Sequence, residues 1–219
     1  AWFNRLQIID STTISLFSNL IFKGVGRHPK TGKKKGGIKV HTNIHANEFV
    51  PSDIKFTSAA TNGSFMLKPA NYNDGDIIAM DRAYIDYARF EELTNRGVTY
   101  VTKIKKNLVY DTLSDTMYML PCGLMECRVQ VVEFRKHIKG GENIKHKARI
   151  VTYVDPAKKK AKVISLLTND MTMEVEDIID IYRQRWEIEL LLKQLKQKFP
   201  LKYFYGESAN AIKIQIWVT

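Results

Sequence analysis

The sequence is poor in cysteine and has no long hydrophobic run. None of its apolar stretches approaches the roughly 20 residues that a membrane-spanning helix needs, and its first residues show no signal-peptide pattern. The two cysteines, Cys122 and Cys127, are separated by four residues, and no second ligand pair accompanies them. This pattern argues against a zinc site and a disulfide framework, and we interpret the two residues as reduced cysteines of a cytosolic protein.

Acidic residues are scarce, since 34 Lys and Arg oppose 23 Asp and Glu and leave a formal net charge of +11. Such a balance favours a polyanionic partner such as nucleic acid. Residues 11–47 contain no acidic side chain, and the Gly- and Lys-rich part of that stretch, 23–37, is predicted to form a mobile loop. No Gly-x4-Gly-Lys-Ser/Thr pattern occurs in the loop, so a nucleotide phosphate loop is not indicated.

Three consecutive lysines lie in this loop, namely Lys33, Lys34 and Lys35. A mobile cationic loop neutralises phosphates without reading a base sequence, so these lysines are predicted to bind nucleic acid nonspecifically. The alternative is a solvated loop whose charge only keeps the chain soluble.

The longest predicted helix runs from Thr172 to Lys198, without Gly or Pro. Most of its residues are strong helix formers. Thr172 is predicted to be the N-cap, acidic residues follow in the first turn, lysines occupy the last turn, and Pro200 comes after the end.

Four residues of this helix are predicted to share one face: Tyr182, Arg185, Glu189 and Lys196. At about 100° per residue, their spacing puts them within a stripe roughly 60° wide. Taken by itself, the stripe is also explained by a solvated charged face on an ordinary amphipathic helix.

Two apolar runs upstream each end in an aspartate. The run from Leu6 predicts a strand that ends at Asp10, and the continuous run from Ile77 predicts a strand covered on both faces that ends at Asp81. Arg82 follows Asp81 directly. Asp10 would also suit a turn, and Asp81 would also suit the N-cap of the helix predicted after it.

Two further strands, 38–46 and 49–58, are predicted to form an antiparallel hairpin after the first strand. His41 and His45 point to one face of that hairpin and are interpreted as surface or packing residues, because no further ligand is near. A helix over 85–95, with Gly97 as its C-cap, and a strand over 98–104 complete a βαβ element with the strand before Asp81. Short β-prone runs separated by Gly, Asn, Pro and Lys then predict a largely β insertion with a basic face, followed by a strand over 163–167.

The spacing Tyr-x2-Arg-x3-Glu-x6-Lys, with Trp186 directly after Arg185, resembles the signature of bacterial insertion-sequence transposases of the IS-four type. Asp10 and Asp81 match the contexts of that family's first two catalytic aspartates. The resemblance implies that Asp10, Asp81 and Glu189 form a catalytic Asp-Asp-Glu site that binds two Mg²⁺ or Mn²⁺ ions. The DNA-binding residues that we expect beside that site are Tyr182, Arg185, Lys196 and Arg82, with Lys33, Lys34 and Lys35 in the basic loop.

The same resemblance implies an α/β fold: a ribonuclease-H-like mixed sheet flanked by helices, with a mainly β insertion before the last catalytic helix. The first and fourth strands are then neighbours, and the late helix packs across them. We expect residues 1–104 to form the first part of the catalytic core, 105–162 the insertion, and 163–219 the last part. The N-terminal DNA-binding region usual in the family is not in the sequence, so we expect a catalytic-core fragment.

The function implied by the resemblance is that of a DNA transposase core, which cleaves DNA strands and transfers them by metal-dependent in-line phosphodiester displacement. Its partners would be the transposon ends and target DNA. The protein would be bacterial, cytoplasmic and associated with the nucleoid, and its full-length form could be a homodimer. Two alternatives stay open: a ribonuclease-H-like nuclease that does not transpose, and a catalytically silent basic DNA-binding module in which the acids only cap and pair. Tight Mn²⁺ binding by the isolated chain would exclude the silent module.

Overall fold

The structure is a computed structural model that describes residues 2–15, 37–59, 61, 63–105, 107–120, 126–137, 143–155, 162–198, 204–206 and 208–218. Within these residues, nine strands form one mixed sheet. The strands are β1 (Leu6–Ser15), β2 (Gly37–His45), β3 (Val50–Ser58), β4 (Ile77–Met80), β5 (Thr99–Lys103), β6 (Asp111–Met119), β7 (Glu126–Lys136), β8 (Ile144–Asp155) and β9 (Lys162–Thr168). The α-helices are α1 (Tyr87–Asn95), α2 (Val175–Lys198) and α3 (Ala209–Trp217).

The order of strands in the sheet is β3-β2-β1-β4-β5-β9-β8-β7-β6. β1, β2 and β3 are antiparallel neighbours, whereas β4 and β5 run parallel to β1. The predicted hairpin and the predicted βαβ element are therefore both present, and the first and fourth strands are neighbours. This is the ribonuclease-H-like α/β fold predicted from the sequence.

Each face of the central strands is covered by a different helix. On one face, Leu6 and Ile8 of β1 pack in a cluster with Ile178 of α2. On the other face, Ile9 of β1 packs in a cluster with Phe90 of α1. Successive side chains of a strand point to opposite faces, so the residue that follows Ile9 returns to the α2 side.

The first strand is longer than its apolar run predicts. β1 continues past Asp10 to Ser15, because residues 11–15 keep pairing with β2, with Ser11 opposite His41 and Ser15 opposite Gly37. The prediction that this strand ends at Asp10 was therefore wrong, and so was the alternative that Asp10 is a turn residue. Only the pairing with β4 stops at this point, because its last partners are Ile9 and Met80.

The long helix begins three residues later than predicted, at Val175 instead of Thr172. The carboxylate of Asp170 accepts hydrogen bonds from the backbone N–H and the hydroxyl of Thr172 and from the N–H of Met173. These bonds hold the segment in a turn, so Thr172 does not act as the N-cap of the helix.

β6, β7 and β8 lie in the region that the sequence predicts to be an insertion, and they extend the central sheet beyond β9. Consecutive strands from β6 to β9 pair antiparallel. The division of the chain at residues 104 and 162 stays a prediction. α3 covers the opposite end of the sheet, where Ile212 packs in a cluster with Ile14, Ile38 and Val40. No helix in the described ranges is long and apolar enough to cross a membrane.

Candidate active site

Asp10 and Asp81 lie side by side on neighbouring parallel strands. Ile9 of β1 is the register partner of Met80 of β4, and each aspartate is the next residue of its chain segment. By the alternation of the strands, both carboxylates project from the sheet face that α2 covers. Residues 71 positions apart in the chain are thereby brought to one point of the sheet.

Local hydrogen bonds hold both aspartates in place. Oδ1 of Asp10 accepts a bond of 2.8 Å from the backbone N–H of Ser11. Oδ1 of Asp81 accepts a bond of 2.9 Å from the N–H of Ala83 and so caps a short 3-10 helix over Arg82–Tyr84. The N-cap of α1 is Asp86. The alternative interpretation, in which Asp81 caps that helix, is therefore wrong.

Asp10 is a buried acid whose surroundings disfavour its charged form. Only 7% of the residue is exposed, and this burial is the main reason why the pKa of its carboxyl rises to about 6. The Ser11 N–H and Arg185 oppose the rise, while the nearby charges of Glu189 and Asp81 add to it. A cation close to these acids would stabilise the charged form of Asp10.

Three members of the predicted stripe on α2 are linked by the contacts of Arg185. Nη2 of Arg185 donates a 2.9 Å hydrogen bond to Oε2 of Glu189, one helical turn further on. The guanidinium carbon of Arg185 lies 5.1 Å from the centre of the Tyr182 ring, within cation–π range. The common face of Tyr182, Arg185 and Glu189 agrees with the spacing argument.

Arg185 also joins the helix to the strand that carries Asp10. The residue is 4% exposed, and its Nη1 lies 3.8 Å from Oδ2 of Asp10. Burial alone would lower the pKa of Arg185, but Tyr182, Asp10 and Glu189 together raise it above its usual value. The guanidinium is thus the cation that faces both Asp10 and Glu189.

The three acids of the predicted site converge on one region, but they do not form a closed set of ligands. In the part of the chain that the structure describes, no group of three or more His, Cys, Asp or Glu could hold a metal ion. Glu189, whose side chain is half exposed, is bonded to Arg185. An ion shared by all three acids would compete with Arg185 for the charge of Glu189.

The other predicted DNA-binding residues fall into two groups. Arg82 lies beside the acids, in the 3-10 helix that Asp81 caps. Lys33, Lys34 and Lys35 lie outside the described residues, and so does the side chain of Lys196, whose backbone belongs to α2. Of the cysteines, Cys127 is buried on β7 and Cys122 is likewise outside the described residues.

A groove of about 550 Å³ adjoins the acids and runs between α2 and the ends of β4, β5, β9 and β8. Its cationic lining residues are Arg82, Lys103, Lys162, Arg183 and Arg185. Trp186, which is 47% exposed, and Tyr153 contribute aromatic surface to its walls. No sequence pattern predicted that Lys103, Lys162 or Tyr153 would line such a groove. Only the position of Lys103, at the end of the strand parallel to β4, could have suggested it.

A buried polar group lies behind Asp10 and Asp81. Nε2 of His41 lies 2.9 Å from the hydroxyl oxygen of Thr57, and its Nδ1 lies 3.5 Å from the hydroxyl oxygen of Tyr84. Burial, followed by the charge of Lys39, lowers the pKa of His41 to about 4. The interpretation of His41 as a packing residue agrees with this environment, in which the imidazole is neutral at pH 7.

The amino-acid sequence matches the model of a known family. The family model described as "Transposase DDE domain" matches residues 1–219 of the chain, which therefore belongs to that family.

The relatives that the chain resembles are named as transposases of insertion sequences or simply as transposases. It is 24% identical to "Putative transposase y4zB" of Sinorhizobium fredii over 97% of this chain and 57% of the relative. It is 28% identical to "Putative transposase for insertion sequence element IS4SA" of Synechocystis sp. over 95% and 55%. It is 21% identical to "Transposase for insertion sequence element IS231E" of Bacillus thuringiensis over 99% and 54%. The chain thus spans a little over half the length of these relatives.

Proposed function

We propose that the chain is the catalytic core of a DNA transposase and that Asp10, Asp81 and Glu189 are its catalytic acids. The observation that carries the proposal is the register of β1 and β4, in which Ile9 pairs with Met80 and the two aspartates follow side by side. α2 packs over these strands, and Glu189 lies on the side of the helix that faces Asp10 through Arg185.

The donors fit a hard divalent cation. All three side chains offer carboxylate oxygens, which Mg²⁺ and Mn²⁺ prefer. Asp10 is buried, and its pKa is raised to about 6 by that burial and by the neighbouring acids, so a cation is favoured there. When bound, two such ions would activate a water or a DNA 3′-hydroxyl and stabilise the leaving oxygen of an in-line phosphodiester displacement.

The residues of the chain have separate tasks in this proposal. Asp10 supplies oxygens from β1 and Asp81 from the position directly after β4, and hydrogen bonds from Ser11 and Ala83 hold the two carboxylates. Glu189 supplies the third carboxylate from α2.

The groove beside the acids is suited to the DNA backbone. Arg82, Lys103 and Lys162 line it, and phosphate contacts of this kind position a nucleic acid without reading its bases. Reading of the transposon ends and pairing of subunits belong, in this proposal, to the full-length protein.

The test is calorimetric titration of the chain with Mn²⁺. Asp10→Asn and Asp81→Asn keep the size and hydrogen-bonding capacity of each side chain, so both variants should fold and lose most of the metal affinity. The unfolding transition of each variant checks the fold. Near-wild-type Mn²⁺ binding in both variants would remove the metal site and, with it, the proposed chemistry.

A further inference from the structure

The proposed metal ligands already have a cation beside them. Nη2 of Arg185 is bonded to Glu189 at 2.9 Å, and Nη1 lies 3.8 Å from Oδ2 of Asp10. Both partners are carboxylates that the proposed function assigns to a divalent ion. The guanidinium and the ion therefore depend on the same negative charges.

Apart from these two acids and the ring of Tyr182, the surroundings of Arg185 do not favour its charge. It is 4% exposed, and its Nε is buried without a hydrogen-bond partner among the described residues. A buried cation that loses its acidic partners is strongly unfavourable, and a divalent ion brought next to a guanidinium is repelled by it. The present position of the Arg185 side chain therefore becomes unfavourable in free energy when a metal ion binds.

We propose that Arg185 is the resident counter-ion of this site in the metal-free protein, and that a divalent ion must displace its guanidinium from Asp10 and Glu189. The inference rests on the proposed function, because it takes these two acids as metal ligands. It adds that metal loading is opposed by a residue of the site and that Glu189 is released only when Arg185 moves.

The displaced guanidinium has a place to go. Arg185 and Tyr182 both line the groove, and the guanidinium carbon already lies 5.1 Å from the centre of the Tyr182 ring. A shift along that ring toward the groove keeps the cation–π contact and brings the charge toward solvent.

The first arm of the experiment needs no metal. Unfolding of the whole chain by urea in EDTA is compared for Arg185→Gln in the wild-type background and in the Asp10→Asn background. The expected result is a larger loss of stability in the wild-type background, where the variant leaves Asp10 buried opposite no cation.

The matched control for this arm is Arg183→Gln. Arg183 lies on the same helix, is paired with Asp180 on the surface, and should have the same small effect in both backgrounds. An equal loss for Arg185→Gln in the two backgrounds, or failure to fold in both, overturns the pairing of Arg185 with Asp10.

The second arm is calorimetric titration of the same proteins with Mn²⁺ in the absence of DNA. Removal of the competing charge should make Arg185→Gln bind Mn²⁺ about tenfold more tightly than the wild type, because two cations no longer share the acids. Arg183→Gln should bind Mn²⁺ like the wild type.

The outcomes of the second arm separate the two proposals. If the wild type binds Mn²⁺ and Arg185→Gln binds it equally or more weakly, the competition is wrong and the metal site stands. If neither protein binds Mn²⁺, the metal site is wrong and the competition falls with it, while the first arm still decides whether Arg185 is the counter-ion of Asp10.

Discussion

The hydroxyl oxygen of Tyr100 lies 2.6 Å from Nε2 of His146, in a fully buried contact that joins β5 to β8. Nδ1 of the same imidazole lies 2.7 Å from Oε2 of Glu91 on α1. The three side chains tie the helix to the two strands on the face of the sheet opposite α2. Burial lowers the pKa of His146, and the hydrogen bond and charge of Glu91 oppose that effect.

Tyr100→Phe should destabilise the chain by about 1–3 kcal/mol, because it leaves a buried imidazole nitrogen without its partner. The stacking of residue 100 on Phe90 would be kept, so the change isolates the hydroxyl. The control is Tyr87→Phe, which removes a buried hydroxyl that has no hydrogen-bond partner within the described residues. Urea unfolding should find the control neutral or stabilised, and equal losses for the two variants would contradict this account.

Stability should depend on pH through His41. Its pKa is lowered to about 4 in the folded chain, so between about pH 6.5 and pH 4 the unfolded chain binds a proton that the folded chain does not. The free energy of unfolding therefore falls as the pH falls through that window. His41→Gln should flatten this dependence by up to about 1.4 kcal/mol per pH unit.

The measurement is a series of urea titrations across this window, made in an Asp10→Asn background. The background is needed because the pKa of Asp10 is raised from 3.8 to about 6. Between about pH 3.8 and pH 6 the folded chain therefore binds a proton at Asp10 that the unfolded chain does not bind. The contribution of Asp10 to the free energy of unfolding falls as the pH rises through that interval. Identical slopes with and without His41 would show that the imidazole titrates alike in the folded and unfolded chains.

Two glutamates on α2 allow a sharp test of the catalytic assignment. Glu189→Gln should abolish metal-dependent cleavage of DNA, since it removes a carboxylate where phosphate charge must be balanced. Glu187 lies two residues earlier, about 200° around the helix, and borders the groove. Glu187→Gln should leave cleavage within a few-fold and change stability by less than about 0.5 kcal/mol.

Both variants are to be compared in the full-length protein by cleavage of DNA that carries the transposon ends. A full-length Glu187→Gln that is inactive beside an active Glu189→Gln would mean that the helix face, and the family motif read from it, were assigned to the wrong residue.

The lysines of the basic loop should act on affinity without selecting a sequence. Simultaneous neutralisation of Lys33, Lys34 and Lys35 removes three charges that would release counterions from DNA, so binding should weaken and its salt dependence should become shallower. Fluorescence anisotropy with a duplex at several salt concentrations gives both quantities. An unchanged slope of log affinity against log salt would leave the loop as a solubilising surface only.

Much of the central sheet could be predicted because its signals are local. The buried run before Asp81 matches β4 residue for residue, and the period of α2 correctly put Tyr182, Arg185 and Glu189 on one face. The end of β1 could not be predicted in this way. Its length depends on pairing with β2, which lies across a long intervening segment. Of residues 11–15 only Ile14 is apolar, so the sequence there shows no continuous apolar run.

The electrostatic arrangement of the site was even less accessible from the sequence. Spacing put Arg185 beside Glu189, but its approach to Asp10 depends on how α2 crosses β1. The groove could not be predicted from local patterns either, because its lining residues Lys103, Tyr153 and Lys162 come from three different strands. Contacts between distant segments are set by packing, and no local pattern records them.

The continuity of the sheet has a mechanical consequence for the groove. Its lining residues come from β4's end, β5, β9 and β8, which are consecutive strands of one hydrogen-bonded sheet. Three strand spacings set the breadth of its floor at about 14 Å. No hinge between domains separates these strands, so the floor cannot widen unless backbone hydrogen bonds break. The strand ladder thus fixes the breadth of the floor, whereas the wall formed by α2 is not hydrogen-bonded into that ladder.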